Sequence, residues 1–130
     1  MTSDMDQPKT PRGVLLTTNL LFSSMVTGTA SALGHEVAVA GDLAEAVELC
    51  RARPCAYVIV DLGMSEIEIA TAVARLREAA GAVPTIAYGS HVDKARLDAA
   101  RAAGCDEVMP RSKFSAELPA LLGRYFIRNL

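Results

Sequence analysis

One pattern recurs five times along this chain and constrains its fold more than any other feature. A short apolar run, of strand length, leads to a polar residue able to cap a helix, and then to a stretch of helical period. The runs are Gly13-Val-Leu-Leu-Thr17, Glu36-Val-Ala-Val-Ala40, Ala56-Tyr-Val-Ile-Val-Asp61, Val83-Pro-Thr-Ile-Ala-Tyr88 and Asp106-Glu-Val-Met-Pro110, starting about every 20–27 residues. That spacing suits short βα units. The units share a grammar and not residues, so this is not a sequence repeat. Asp42-Leu-Ala-Glu45, Ser65-Glu-Ile-Glu68 and Ser90-His-Val-Asp93 have the capping-box spacing or its Asp variant, which predicts Asp42, Ser65 and Ser90 as helix caps. Gly34, Gly81 and Gly104 are placed to end three helices.

The first, third and fourth runs are apolar on both faces, as strands are when helices cover both sides of a parallel sheet. Pro110 cannot donate to a ladder on both sides and puts the fifth run at an edge. The expected architecture is α/β: a flavodoxin-like, doubly wound, five-stranded parallel sheet, (βα)5, in the order 2-1-3-4-5. A chain of 130 residues, 51% hydrophobic, can bury one such core. Residues 13–130 read as one domain with no output domain, and the polar residues 1–12, with two prolines, as a flexible tail.

Composition removes several classes of function. Thirteen Lys and Arg are scattered among fifteen acids, and aromatics are 5% with no Trp, so neither a phosphate-binding basic patch nor a stacking platform for nucleic acid is expected. No run of about 18 apolar residues suggests a membrane span, and the start lacks a signal core. Cys50, Cys55 and Cys105 form no CxxC pair and the two histidines lie far apart, so no metal and no cofactor are expected. The thiols read as reduced and buried, in a cytoplasmic protein.

In a doubly wound sheet, ligands sit at the carboxyl ends of the strands, where the order reverses between strands 1 and 3. Thr17-Thr18-Asn19 and Asp61 occupy those two ends. Thr18 and Asn19 are expected to cap the first helix, Asn being a good cap residue. A carboxylate ending a buried strand needs a partner. Asp61-Leu-Gly-Met64, with Ser65 next, resembles the phospho-acceptor strand of response-regulator receiver domains. Ala103-Gly-Cys-Asp-Glu-Val-Met-Pro-Arg-Ser-Lys-Phe114 is similar to their fifth strand and Lys-Pro loop.

The resemblance implies a two-component signalling module with Asp61 at the acceptor position, yet the rest of the pocket departs from the family. Receivers follow strand 1 with two adjacent acids that hold Mg²⁺; here those positions are Thr18 and Asn19. They end strand 4 with Ser or Thr against the phosphoryl group; here Gly89 stands there, with Ser90 next. Lys and cis-Pro become Arg111 and Ser112, and the aromatic switch residue becomes Val108. Mg²⁺ demands oxygen ligands and carboxylate charge, which Thr and Asn replace poorly. Without the metal, charge developing on a transferring phosphoryl group lacks its main stabiliser. The expectation is a degenerate receiver, not an enzyme, with Asp61 a vestigial acceptor forked by Arg111.

A module without chemistry acts through its surfaces. On a helical wheel for residues 116–128, Leu118, Leu121, Leu122 and Tyr125 face the sheet, while Ala116, Ala120, Gly123 and Ile127 gather within about 60° on the far side. With Leu97 on helix 4, off its apolar side, these residues mark a candidate contact face for a signalling partner or a second copy. Receivers commonly use the helix 4, strand 5, helix 5 surface in this way. Two alternatives remain open: a working response regulator phosphorylated on Asp61, and a phosphate- or flavin-nucleotide-binding protein using the hydroxyl-rich stretch Thr17 to Ser24 at a helix N-terminus.

Overall fold

A computed structural model describes residues 10–127, with side chains through residue 126. Five strands form one parallel sheet: β1 (Arg12–Leu16), β2 (Val37–Ala40), β3 (Cys55–Asp61), β4 (Thr85–Gly89) and β5 (Glu107–Pro110), in the order β2-β1-β3-β4-β5. Between and after them run α1 (Leu20–Ala32), α2 (Leu43–Ala52), α3 (Ile69–Ala80), α4 (Lys94–Ala102) and α5 (Arg111–Ile127). This is the expected flavodoxin-like arrangement, with β2 and the Pro110-ended β5 at the edges.

The alternation of side chains along the strands divides the core in two. Val14, Leu16, Val58, Val60 and Ala87 pack against α2, α3 and α4. Leu15, Ile59, Ile86 and Tyr88 pack against α1 and α5. The alternation breaks once. Arg12 pairs with Cys55 and Gly13 with Tyr57, so Ala56 is the extra residue of a bulge in β3. The bulge turns Tyr57 toward α1 and α5, where its hydroxyl shares a 2.8 Å hydrogen bond with His35 Nε2. His35 in turn stacks on Phe126 of α5 at 4.0 Å between ring centroids.

Burial holds the His35 pKa below its ordinary value of 6.5. The folded state therefore favours the neutral ring, and just below pH 6.5 the unfolded chain binds more protons. Stability should be level above that pH and fall as pH drops from 6.5 toward the folded-state pKa, by at most about 1.4 kcal/mol per pH unit. Urea titrations from pH 7.5 to 5 should show the slope, and His35→Gln should flatten it.

Three sequence expectations change. Ser65 and Ser90 do not cap helices. The acids at the far ends of their boxes do so, Glu68 accepting from Thr71 N and Asp93 from Arg96 N, and the serines belong to the preceding turns. The last helix starts at Arg111 and not at 116, because Phe114, fully buried, continues the stripe of Leu118, Leu122 and Tyr125 by a further turn. Pro119 thus lies inside it and donates nothing to the Ser115 carbonyl. Arg12, assigned to the tail, opens β1 with its side chain buried; residues 1–9 lie outside the described residues.

Candidate functional site

The carboxyl ends of β1, β3 and β4 meet the start of α5 around Asp61, which is 7% exposed. Each of its carboxylate oxygens accepts one hydrogen bond. The Thr17 hydroxyl donates to Oδ2 at 2.6 Å, and the Gly63 amide donates to Oδ1 at 2.8 Å. Thr17 also accepts from the Asn19 amide at 3.0 Å, so β1, the first turn toward α1 and β3 are joined through one hydroxyl. Asn19 Oδ1 accepts from Phe22 N at 2.9 Å and caps α1, whereas Thr18 is exposed and takes no part in the cap. Sequence reasoning stopped one residue late. The available signal was a threonine closing a fully apolar strand at the switch point.

The direct ion pair expected between Arg111 and Asp61 is not formed. Arg111 is the first residue of α5 and stands to one side of the carboxylate. A Cβ placed on Gly63 would lie 3.0 Å from Asp61 Oδ1 and 3.4 Å from Arg111 Nη2, so the two groups flank the same glycine. Arg111 instead lines a cleft of 410 Å³ with Phe22, Ser90, His91, Ser112 and Ser115. Ser90 Oγ accepts from Val92 N at 3.4 Å. Among the described residues every peptide bond is trans, that before Ser112 included.

Three further residues shape the site without having been marked by the sequence. Tyr88, the register partner of Asp61, is 1% exposed, with its ring 4.4 Å from Phe114 and 5.1 Å from Phe22. Its hydroxyl lies toward Thr17 and Asp61 without a hydrogen bond to either, and burial pushes its pKa well up. Leu62 fills the space above the end of β4: a Cβ on Gly89 would lie 3.0 Å from Leu62 Cβ. A serine or threonine at 89 would press on that side chain. Arg96, on α4, holds the segment after Asp61 with one guanidinium, donating to Leu62 O (2.5 Å), Met64 O (3.0 Å) and Ile67 O (3.2 Å).

The donors present do not suit the divalent cation of a receiver pocket. Asp61 supplies a carboxylate already hydrogen-bonded twice, the Asn19 oxygen is committed to its cap, and Thr18 carries no charge. Among the described residues no cluster of three or more His, Cys, Asp and Glu is placed to hold a metal.

Of the contact-face candidates, Ala116 and Ala120 are exposed, and Gly123 is half-buried with open space beside its Cα. The Ile127 side chain lies outside the described residues. Leu97 does not belong to the face: it is 6% exposed and packs into the core on the α2–α4 side. The large exposed apolar side chains are elsewhere, Leu20 and Leu21 at the start of α1 and Val92 in the β4–α4 turn, with Leu33 at the end of α1. Leu21 and Val92 are chain neighbours of Phe22 and His91, which line the cleft, and Leu20 precedes Leu21.

No protein-family model and no curated protein matches the chain. Solved structures do. The signal receiver domain of an HD domain-containing protein from Pseudomonas fluorescens Pf-5 superposes with a TM-score of 0.78 at 17% identity, covering 95% of this chain and 91% of that one. A CheY-like response-regulator receiver domain protein from Methanospirillum hungatei JF-1 gives 0.77 at 11% identity, over 92% and 95%. The receiver domain of a sensor histidine kinase from Pseudomonas aeruginosa PAO1, with magnesium coordinated in its active-site cleft, gives 0.74 at 19%, over 89% and 97%. The fold is therefore that of CheY-like receiver domains. No helix among the described residues is long and apolar enough to cross a membrane.

Proposed function

We propose that this receiver-fold domain is a non-enzymatic, cytoplasmic signalling module that works by protein–protein contact, with no phosphorylation of Asp61 in its cycle. The observation that carries this reading is the carboxylate held by Thr17 on one oxygen and Gly63 on the other, with no acid beside it at Thr18 or Asn19. An acceptor must present a metal-organised oxygen to the phosphorus, whereas each oxygen here is held by a bond to the protein and neither Thr18 nor Asn19 brings the carboxylate that would bind the metal. The same internal bonds, with the Arg96 fork behind them, hold the β3–α3 segment in one arrangement without a ligand. The exposed side chains of Leu20, Leu21 and Val92 offer a partner apolar contact.

Phosphotransfer tests this directly. Incubation with acetyl phosphate and Mg²⁺, followed by intact mass, should show no phosphorylated species. Thr18→Asp with Asn19→Asp should introduce divalent-cation binding, seen as amide shifts at Asp61 and Gly63, since Asp at 19 still caps α1. Stoichiometric phosphorylation of the unaltered protein, lost in Asp61→Asn, would overturn the proposal and favour a working response regulator with Arg111 as the cation beside the phosphoryl group.

A further inference from the structure

The first helix is unlike the others. Residues 13–34 hold no charged side chain, although charged residues make up 22% of the chain. Among the described helices only α1 carries no charge, yet it has a solvent-facing side. On an ideal helix its exposed residues Leu20, Leu21, Ser24, Gly28, Ser31 and Ala32 fall in one arc of about 120°. Large apolar side chains stand exposed at both of its ends, Leu20 (82%) and Leu21 (74%) at the start and Leu33 (43%) at the C-cap. The surface continues onto α5. That helix lies beside α1, where the Ser115 hydroxyl donates to Met25 Sδ at 3.7 Å. Ser112, Ser115, Ala116, Pro119, Ala120 and Gly123 occupy an arc of about 140° on α5, and Lys113, Glu117 and Arg124 lie beyond its far edge. Two neighbouring helices thus share one face without a charge on it.

The two glycines of this face serve nothing inside the chain. Gly28 and Gly123 lie within helices, neither has a positive φ, and an added Cβ would meet nothing within 4 Å at either position. Each weakens its helix relative to alanine. The room they leave is on the outside, where another backbone can approach closely.

We infer that the α1–α5 face is the interface of a two-fold homodimer, its helices packed closely through Gly28, Ala120 and Gly123. The inference names the partner in the contact reading above and rests on that reading for the dimer's use in signalling. Two properties of the face select a second copy. It carries protruding leucines at the ends of α1 and shallow gaps at its glycines and alanines, so a copy turned about a two-fold axis can bring one set against the other. It also holds no charge, so a copy meets no like charge across the axis and desolvates none. A lipid surface matches less well, because helices that lie on membranes set basic residues beside their apolar ones, and α1 has none.

Sedimentation velocity on the full chain, from about 1 to about 100 μM, tests this. The expected species has twice the 13.7 kDa chain mass. Raising NaCl to about 0.5 M should not weaken it, since screening has no charge to act on. Gly28→Arg and Gly123→Arg have open space for the new side chain and gain helix propensity, so both should keep the parent circular dichroism. Each brings an unpaired charge into the interface and should weaken association at least about 100-fold. Ala74→Arg, exposed on α3 across the sheet, should leave the dimer intact. A monomer throughout the concentration range, or a dimer that survives both glycine substitutions, sinks the inference. Neither result touches Asp61, because the contact reading fails separately, by phosphotransfer to that residue.

Discussion

Replacing Gly13 with alanine should cost at least about 3 kcal/mol, and valine should leave little folded protein, since overpacking of a rigid core commonly costs 1–3 kcal/mol or more. A Cβ at 13 would stand 2.3 Å from Tyr57 Cε1, 2.4 Å from Cζ and 2.7 Å from the hydroxyl. The ring cannot step aside. It is fully buried, its hydroxyl is held by His35, and the edge of the imidazole meets it at 5.7 Å. In a domain of this size the loss corresponds to a fall in Tm of roughly 10 °C or more. Thermal melts of Gly13→Ala, Tyr57→Leu and the double variant form the decisive set. The double variant should be much less destabilised than the sum of the singles, because removing the ring removes the collision. A Gly13→Ala protein within about 1 kcal/mol of the parent would mean that the close approach does not exist.

Arg96→Met should produce the second large effect, a loss of about 2–3 kcal/mol concentrated in one segment, given the usual worth of hydrogen bonds to a charged donor. Three carbonyls, of Leu62, Met64 and Ile67, share that guanidinium. Removing it leaves them facing a methionine, and the turn between β3 and α3 should open well below the global unfolding energy. Hydrogen exchange should accelerate most at Leu62, Met64 and Ile67, whose amides bond Tyr88 O, Asp61 O and Met64 O, while β1 and α1 change little. Arg96→Lys should rescue only part, since an ammonium cannot span three acceptors in the fork geometry. Uniform acceleration across the domain would show that Arg96 acts on the core and not on the turn.

The sheet order could be read from the chain because each strand carries its own evidence: unbroken apolar runs at Val14-Leu-Leu16 and Tyr57-Val-Ile-Val60, and a proline closing β5. The residue pattern around Asp61 was equally legible, and so was the absence of acids at Thr18 and Asn19. What escaped was pairing in space. Nothing local says that Thr17, forty-four residues from Asp61, will lie 2.6 Å from it, or that Arg96 will cross to the segment after β3. Arg111 was assigned to Asp61 by its charge and by their neighbouring strand ends, and at the start of α5 it flanks Gly63 beside Asp61 without a direct ion pair. Leu97 and the first turn of α5 were misplaced for one reason: short alanine-rich and serine-rich stretches have weak periodicity, so only burial decides which side faces in. The bulge at Ala56 had no sequence signature at all, and Gly13 makes sense only beside the ring that the bulge turns toward it.

The division of the core has a consequence for how the protein is made. Ile59, Ile86 and Tyr88 rely on Phe114, Leu118, Leu121, Leu122 and Tyr125 for cover. All five belong to α5, which leaves the ribosome after every strand. A nascent chain carrying the complete sheet therefore leaves the part of that face not covered by α1 open to the cell until that helix arrives, an interval in which chaperone capture and aggregation compete with closure. Variants that weaken α5 docking should reduce the yield of soluble protein by more than their equilibrium stability implies.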